Sequence, residues 1–302
     1  GGKKLKELLN KSFDGQQIGE SWELSTVAND ISVIANGAFK GLNLNQLIDK
    51  YPAEILGVNS IQNFGHHFPL LFKFLDAKED LSIQVHPNDK LAKERHKSFG
   101  KTEMWYVMQA DENARLVVGF KDKTNKQVYQ EHIKNKTLVA ILNETPVEKG
   151  DAFFLETGTV HAIGAGVLIA EIQQTSDITY RLYDWDRVDA NGVGRELHTD
   201  LALDAINFET TNTKLQYENA LNKSVNIVSC PFFETHILNI SGTYNWKKTK
   251  ESFTVFMCTE GNFSINMSDF QASFKKGDTI LIPATIANFE IIGTTSLLEI
   301  TI

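Results

Sequence analysis

The segment most informative about the fold is residues 81–106, LSIQVHPNDKLAKERHKSFGKTEMWY. Its first residues alternate between apolar and polar side chains, a pattern typical of a half-buried strand. Gln84 and His86 are two residues apart, so their side chains lie on the same face of that strand. A Phe-Gly turn precedes a second strand, on which Lys101 and Glu103 share a face by the same rule. The stretch therefore predicts two strands that carry metal-ligating side chains.

A further candidate ligand follows a glycine-rich turn in EKGDAFFLETGTVHAIG, residues 148–164. Gly150 and Gly158 permit tight bends on either side of a short apolar strand, and His161 comes directly after the second bend. This order of ligands resembles the metal site of the cupin superfamily, in which two strand motifs meet at the mouth of a small β-barrel. Glu156 stands where the second cupin motif usually has a proline, a departure that removes no ligand.

One carboxylate, two imidazoles and an amide oxygen suit Zn²⁺, Mn²⁺ or Fe²⁺. The set contains no cysteine, which excludes a structural site built on thiolates. Either histidine alone would more simply be a hydrogen-bonded strand residue. The joint pattern of Gln84, His86, Glu103 and His161 predicts one divalent metal ion.

Composition narrows the class of protein. The chain has 302 residues, 42% hydrophobic residues and a formal net charge of -8, which is ordinary for globular domains and gives no sign of nucleic-acid binding. No apolar run reaches membrane length, and no signal-peptide pattern is present. With only two cysteines, Cys230 and Cys258, the sequence predicts a cytoplasmic protein. The first residue is Gly1 rather than Met, and the sequence leaves open whether an N-terminal segment is missing.

An internal repeat suggests two related domains. The segment at residues 148–164 aligns without gaps with KKGDTILIPATIANFEI, residues 275–291, at an offset of 127 residues. The second copy keeps the Lys-Gly-Asp turn but has Asn288 where the first has His161. Short, evenly spaced strands fill the rest of the C-terminal part. We predict an all-β fold with a few short helices and two cupin-like jelly-roll barrels. A metal-binding catalytic domain would span residues 1–195, a linker 196–223, and a metal-free degenerate domain 224–302.

Several segments together resemble one enzyme family. They are FPLLFKFLDA, LSIQVHPND, GKTEMWYV, GTVHAIG and QQTSDITYRLYDWDR, the last at residues 173–187. They are similar to the signature segments of the type I phosphomannose isomerases in their short bacterial form. The resemblance implies one Zn²⁺ and reversible isomerisation of mannose 6-phosphate and fructose 6-phosphate. It also places the zinc ligands at Gln84, His86, Glu103 and His161, and a catalytic arginine at Arg181.

Cations near the predicted ligands indicate a phosphorylated ligand. Lys101 shares a strand face with Glu103, and Arg181 lies in an otherwise aromatic strand, where a charge is more often functional or paired. Lys73 and Arg187 are weaker candidates for phosphate binding. Among the carboxylates, Glu171 is our candidate for proton transfer, with Asp177, a metal-bound water or a histidine as alternatives.

Two other classes of function stay open at this point. One is a different metal-dependent cupin enzyme, such as an iron oxygenase, and the other is a cupin that binds a sugar phosphate without turnover. The sequence leaves the direction of the reaction, the metal in the cell and the oligomeric state undetermined.

Overall fold

Strands dominate the computed structural model, which describes residues 1–15 and 17–302. They are β1 Glu20–Leu24, β2 Leu70–Ala77, β3 Ile83–Val85, β4 Glu103–Ala110, β5 Arg115–Phe120, β6 Leu142–Pro146, β7 Ala152–Leu155, β8 His161–Ile163, β9 Val167–Gln174, β10 Tyr180–Tyr183, β11 Lys214–Leu215, β12 Ser224–Ser229, β13 Glu234–Lys247, β14 Thr254–Met267, β15 Phe270–Lys275, β16 Thr279–Ile282 and β17 Asn288–Thr301.

The helices are short. They are α1 Lys4–Glu7, α2 Leu44–Lys50, α3 Pro52–Leu56, α4 Val58–Phe64, α5 Asp89–His96, α6 Lys126–Lys134 and α7 Thr199–Ala202, with a 3₁₀ helix at Leu138–Ile141. This mostly-β architecture with a few short helices confirms the fold class predicted from the sequence. None of the helices in the described ranges is long and apolar enough to cross a membrane.

One compact unit comprises Gly1–Gly2, Gln17–Gly19 and Leu75–Lys214. It contains antiparallel strands in the order β9-β4-β7 and a second sheet in the order β10-β3-β8-β5-β6. Apolar side chains of both sheets share one buried cluster, which includes Trp105, Phe153, Ile169, Leu116, Val118 and Ile163. Burial of these side chains holds the sheets face to face, so residues from both sheets can meet in the interior.

The other compact unit comprises residues 3–15, Glu20–Phe74 and Leu215–Ile302. Its sheet has the order β12-β13-β17-β14-β15, and β16 also pairs with β14. The core of this sheet contains Trp246 and Phe289, whose rings stack with their centroids 4.6 Å apart. The domain limits predicted from the sequence, with a linker at residues 196–223, stay a prediction.

The two aligned repeat segments form the same turn. Asp151 and Asp278 each accept a hydrogen bond from the backbone N–H three residues earlier, at 3.0 and 2.8 Å. Gly150 and Gly277 take φ values of 95° and 90°, a region that a side chain with a Cβ rarely adopts. The Lys-Gly-Asp turn is therefore the same local structure in both copies.

The strands that follow the two turns also pair alike. Glu103 of β4 lies opposite Leu155 of β7, and Thr254 of β14 lies opposite Ile282 of β16. Leu155 and Ile282 are equivalent in the sequence alignment, at the offset of 127 residues. Thr254 therefore occupies the position that Glu103 has in the first copy. These matches confirm the internal repeat.

Candidate metal centre

Strand pairing brings the predicted ligands to one place in the first unit. Gln84 lies directly opposite His161 in the pairing of β3 with β8, and residues opposed in this way project to the same face of a sheet. His86 follows β3 and precedes Pro87, which cannot donate a ladder hydrogen bond and so ends the strand. Glu103 begins β4 in the facing sheet. The site is thus assembled where the two sheets meet.

Three of the four predicted ligands form a buried group. The candidate ligand atoms of His86, Glu103 and His161 all lie within 4.8 Å of one another. His86 Nε2 is 3.4 Å from one carboxylate oxygen of Glu103, and His161 Nε2 is 3.6 Å from the other. Each of the three residues is 1% exposed. This spacing allows all three side chains to contact a single ion between them.

Backbone carbonyls fix which nitrogen of each histidine faces the group. His86 Nδ1 lies 2.9 Å from the carbonyl oxygen of Ile178, and His161 Nδ1 lies 2.8 Å from that of Thr159. A carbonyl oxygen can only accept, so each Nδ1 carries the proton and, in a neutral imidazole, each Nε2 presents a lone pair. Hydrogen bonds of this kind orient metal-ligating histidines in other proteins.

The facing atoms of the group are all acceptors, and the nearest donor group is the Lys101 ammonium, 3.3 Å from Glu103 Oε1. The Nε2 atoms of His86 and His161 and both carboxylate oxygens of Glu103 are buried without a hydrogen-bond partner. Two nitrogen lone pairs aimed at a carboxylate repel it unless a cation lies between them. The residues present therefore fit a divalent metal ion.

Ionisation states favour the same interpretation. Burial and then the Lys101 ammonium lower the pKa of His86 to about 3, against the opposing effect of Glu103. Burial also lowers the pKa of His161. For Glu103, burial alone would raise the pKa, but Lys101 and then His86 outweigh it and hold the pKa well below its usual range. At neutral pH the group thus contains two neutral imidazoles and one carboxylate, the forms that bind metal.

Gln84 and Arg181 lie next to the group on neighbouring strands. Gln84 is half-buried, and Arg181 of β10 lies opposite it in the pairing with β3. Arg181 Nη1 donates to the carbonyl oxygen of Glu196 at 3.0 Å, while its Nε is buried without a partner. Burial, followed by the charge of Arg195, lowers the pKa of Arg181, although a guanidinium stays charged at neutral pH.

Within the described ranges, no carboxylate forms an ion pair with Arg181. The nearby Asp184 is bound instead by Arg187 and Arg195. Arg187 also donates from Nη1 to the carbonyl oxygen of Asp80 at 2.9 Å. This leaves Arg181 as the arginine of the cluster whose charge is not neutralised by a contacting carboxylate.

The other predicted catalytic residues are buried in the first unit. Lys101 is 6% exposed, and its Nζ lies 3.3 Å from Glu103 Oε1. Glu171 lies opposite Trp105 in the pairing of β4 with β9 and accepts a hydrogen bond of 2.8 Å from the Trp105 indole N–H. The Trp105 ring in turn meets the ring of His161 edge-on, with the centroids 5.2 Å apart. Asp177, the alternative carboxylate, is exposed.

Lys73, a weaker candidate for phosphate binding, belongs to the second unit. Its Nζ lies 3.8 Å from Glu20 Oε2 and 4.7 Å from the centroid of the Trp22 ring. These contacts give the buried cation partners within the second unit.

Two residues near the site had no role in the sequence interpretation. Trp105 bridges His161 and Glu171, and Gln173 lies opposite Glu103 in the pairing of β4 with β9. Alternation could have placed Gln173 on the same strand face as Glu171, two residues away, but could not have placed it opposite Glu103.

Comparisons with known proteins agree with this geometry. A sequence model described as the catalytic domain of type I phosphomannose isomerase matches residues 4–113, and one described as the cupin domain of mannose-6-phosphate isomerase matches residues 223–302. The chain is 35% identical over 298 residues to a mannose-6-phosphate isomerase of Streptococcus mutans, covering 97% of this chain and 91% of that protein. It is 36% identical to the mannose-6-phosphate isomerase ManA of Bacillus subtilis, covering 93% of this chain and 89% of that protein.

A solved structure is similar over the whole chain. The crystal structure of the mannose 6-phosphate isomerase from Bacillus subtilis superposes with a TM-score of 0.91 at 33% sequence identity. The match covers 100% of this chain and 95% of that chain.

Proposed function

The chain belongs to the type I phosphomannose isomerase family, and from this premise we propose that it is a zinc-dependent enzyme that interconverts mannose 6-phosphate and fructose 6-phosphate. Gln84, His86, Glu103 and His161 hold the zinc ion, and the reaction proceeds through an enediol. The observation that carries this proposal is the buried group of four acceptor atoms with no donor among them. A cytoplasmic location stays a prediction.

The ligand set supports zinc over a purely oxygen-binding ion. Imidazole nitrogens and a carboxylate are common zinc ligands, whereas Mg²⁺ and Ca²⁺ prefer oxygen alone. When bound, zinc supplies a Lewis acid that stabilises negative charge on sugar oxygens. The chain contributes the fixed geometry, because carbonyl groups hold both imidazole rings in orientation.

Arg181 and Lys101 bind the substrate and stabilise the negative charge that develops on it during the reaction. Formation of the enediol puts negative charge on sugar oxygens that were nearly neutral before, and a guanidinium aimed at them lowers the barrier. The unpartnered Nε of Arg181 and the absence of a contacting carboxylate leave it available for this role. Lys101 sits beside Glu103 and holds sugar or phosphate oxygens.

Glu171 carries the proton between the two carbons. In the open-chain aldose, its carboxylate takes the proton from C2 and returns it to C1, while the hydroxyl proton on O2 is transferred to O1 through the enediol, which gives the ketose with no net gain or loss of atoms. The indole N–H of Trp105 occupies one of its oxygens and fixes its orientation. The other oxygen is the one that we assign to proton transfer.

Family membership favours this reaction over the two alternatives. The family descriptions and the relatives are named for an isomerase, which supports neither an oxygenase nor a binding protein without turnover.

The direct test joins an isomerase assay to elemental analysis. Purified protein should convert mannose 6-phosphate to fructose 6-phosphate and contain one zinc per chain. Chelation should remove the zinc and the activity together, and added zinc should restore both. Retention of full activity in metal-free protein would exclude the zinc mechanism, and absence of turnover in the zinc-loaded protein would exclude the isomerase.

A further inference from the structure

Gln173 has a buried amide oxygen with no partner inside the candidate site. The residue is 0% exposed, and its Oε1 accepts no hydrogen bond. Buried amide oxygens in folded proteins are almost always paired, because burial without a donor costs free energy. We therefore expect a bound ligand to supply the hydrogen-bond donor for this oxygen.

The orientation of this amide is fixed by its nitrogen. Gln173 Nε2 donates to the carbonyl oxygen of Gln174 at 3.0 Å and to that of Ser176 at 2.8 Å. Both N–H groups are thus used, and exchanging the amide nitrogen and oxygen would set an oxygen against two carbonyl oxygens. Rotation of the Gln173 amide therefore cannot provide its oxygen with a hydrogen-bond donor from this loop.

The position of Gln173 places that oxygen on the face of the metal group. Gln173 lies directly opposite Glu103, and Glu171 lies directly opposite Trp105, in the antiparallel pairing of β4 with β9. Opposed residues project to the same face of a sheet, so these four side chains line one wall. Glu103 is a proposed zinc ligand, Glu171 is the proposed proton carrier, and Trp105 donates a hydrogen bond to Glu171.

Two comparisons separate Gln173 from ordinary buried amides. Gln174, the other glutamine that is buried as a whole residue in the described ranges, is satisfied: its oxygen accepts from the backbone N–H of Thr102 at 2.9 Å, and its nitrogen donates to Asp89 at 3.2 Å. In the second repeat, the residue opposite Thr254 is Thr301, whose hydroxyl donates to the carbonyl oxygen of Phe253 at 3.0 Å. At this position of the repeat, the unpaired oxygen thus occurs only in the copy that carries the proposed metal ligands.

We propose that Gln173 is a substrate-positioning residue, whose amide oxygen accepts a hydrogen bond from a hydroxyl on C3 or C4 of the bound sugar phosphate. The inference rests on the proposed function, which supplies the sugar phosphate. Carbons 1 and 2 are the reacting centres, the phosphate is on C6, and the C5 oxygen belongs to the ring of the cyclic form, so the hydroxyls on C3 and C4 are the donors present in both the cyclic and the open-chain sugar. A site with an acceptor for a hydroxyl rejects analogues that lack it, and Gln173 therefore contributes to the choice of sugar.

The test uses Gln173→Met, which keeps the length of the side chain and removes the acceptor together with the donors to Gln174 and Ser176. Gln174→Met is the matched control, because it also removes one acceptor and one donor. Zinc content, melting temperature, kcat and KM are measured for mannose 6-phosphate and for its 3-deoxy and 4-deoxy analogues. We expect Gln173→Met to lower kcat/KM for mannose 6-phosphate about 10- to 100-fold, with zinc retained. For one deoxy analogue, the same substitution should have almost no effect. Gln174→Met should lower the melting temperature without this dependence on the analogue.

Binding of mannitol 6-phosphate, which cannot isomerise, separates this inference from the proposed function. Calorimetry should show at least a tenfold weaker Kd in Gln173→Met and an unchanged Kd in Gln174→Met. If the protein shows these Kd values but no turnover, the role of Gln173 in sugar binding is supported and the isomerase function is excluded. An active wild-type enzyme with an unchanged Kd in Gln173→Met would overturn the inference alone. Loss of zinc in Gln173→Met, or an equal loss of kcat/KM for all three sugars, would also overturn it.

Discussion

The same turn and strand occur twice in this chain, and only the first copy carries residues that we propose as metal ligands. In the first copy, the segment that begins at Gly150 ends at His161, which is 1% exposed beside Glu103. In the second copy, the segment that begins at Gly277 ends at Asn288, which is exposed, and Thr254 stands in the position of Glu103. The backbone of the repeat is thus independent of the metal chemistry, because packing and turn geometry alone maintain it.

A second pair of features makes the same contrast. A buried glutamate accepts a hydrogen bond from an indole in each unit: Glu171 from Trp105 at 2.8 Å, and Glu299 from Trp246 at 2.6 Å. Glu171 lies on the strand opposite Trp105 and two residues from Gln173, and Glu299 also accepts a hydrogen bond of 2.7 Å from the Ser224 hydroxyl. Each unit thus contains a buried glutamate that accepts a hydrogen bond from an indole, and we propose a catalytic role only for Glu171 in the first unit.

The largest effect should follow from exchanging the residues that distinguish the two copies. His161→Asn gives the first copy the residue of the second, and should abolish stoichiometric zinc and lower kcat/KM by more than roughly 10³-fold, because a ligand and the Lewis acid are lost. The reciprocal Asn288→His should bind no additional zinc, because Thr254 supplies no carboxylate. Full zinc content in His161→Asn, measured by elemental analysis, would remove His161 from the ligand set.

The second-largest effect should follow from removing the Arg181 guanidinium of the first unit. Arg181→Ala should lower kcat by roughly 10²–10³, or about 3–4 kcal/mol, since the guanidinium stabilises charge that develops in the transition state. Arg181→Lys should also be poor, because an ammonium lacks the planar fork. Zinc content and melting temperature should stay near those of the wild type.

Arg187→Lys is the matched control for the arginine. It disturbs the hydrogen bonds to Asp184 and to the carbonyl oxygen of Asp80, so its main effect should be a lower melting temperature. The effect on kcat should be small. If Arg181→Ala is stable, zinc-loaded and normal in kcat, Arg181 has no catalytic role.

A smaller effect should separate the two indoles. Trp105→Phe and Trp246→Phe each remove one donor from a buried carboxylate and should each cost about 1–3 kcal/mol of stability. Only Trp105→Phe should also lower kcat, about tenfold, because Glu171 loses the group that orients it. Urea unfolding and steady-state kinetics on both variants provide the comparison. Equal kinetics in the two variants would show that the indole contact of Glu171 is purely structural.

The smallest effect is a pH dependence that originates in the first unit. Burial lowers the pKa of His86 to about 3, whereas a histidine in an unfolded chain titrates near 6.5. Between these values the unfolded chain binds a proton that the folded, metal-free protein does not. Stability should therefore fall as the pH is lowered through this window, by at most about 1.4 kcal/mol per pH unit.

His86→Ala isolates this contribution. Urea unfolding of the metal-free proteins at pH 7 and pH 5 avoids the range in which carboxylates titrate in the unfolded chain. The wild type should lose more stability between these two values than His86→Ala does. Identical losses would mean that His86 is not held neutral by the fold.

Local patterns predicted the strands of the site well, because alternation and turn residues act over a few positions. They placed Gln84, His86 and Glu103 on strand faces and His161 after its turn, and the repeat predicted the matching turn at Gly277. The position of Gln173 was not recognised, since its importance depends on which strand lies opposite and on which atoms remain unpaired. Such pairing is a long-range property that a single sequence does not display.

Anomalous diffraction at the zinc edge, from crystals grown with zinc, tests most directly whether the metal is confined to the first unit. One peak should lie between the Nε2 atoms of His86 and His161 and the carboxylate of Glu103, at about 2.0–2.2 Å from each ligand atom. No peak should lie within coordination distance of Asn288. A peak at Asn288 with protein ligands, or the absence of a peak between His86 and His161, would contradict a single metal site in the first copy of the repeat.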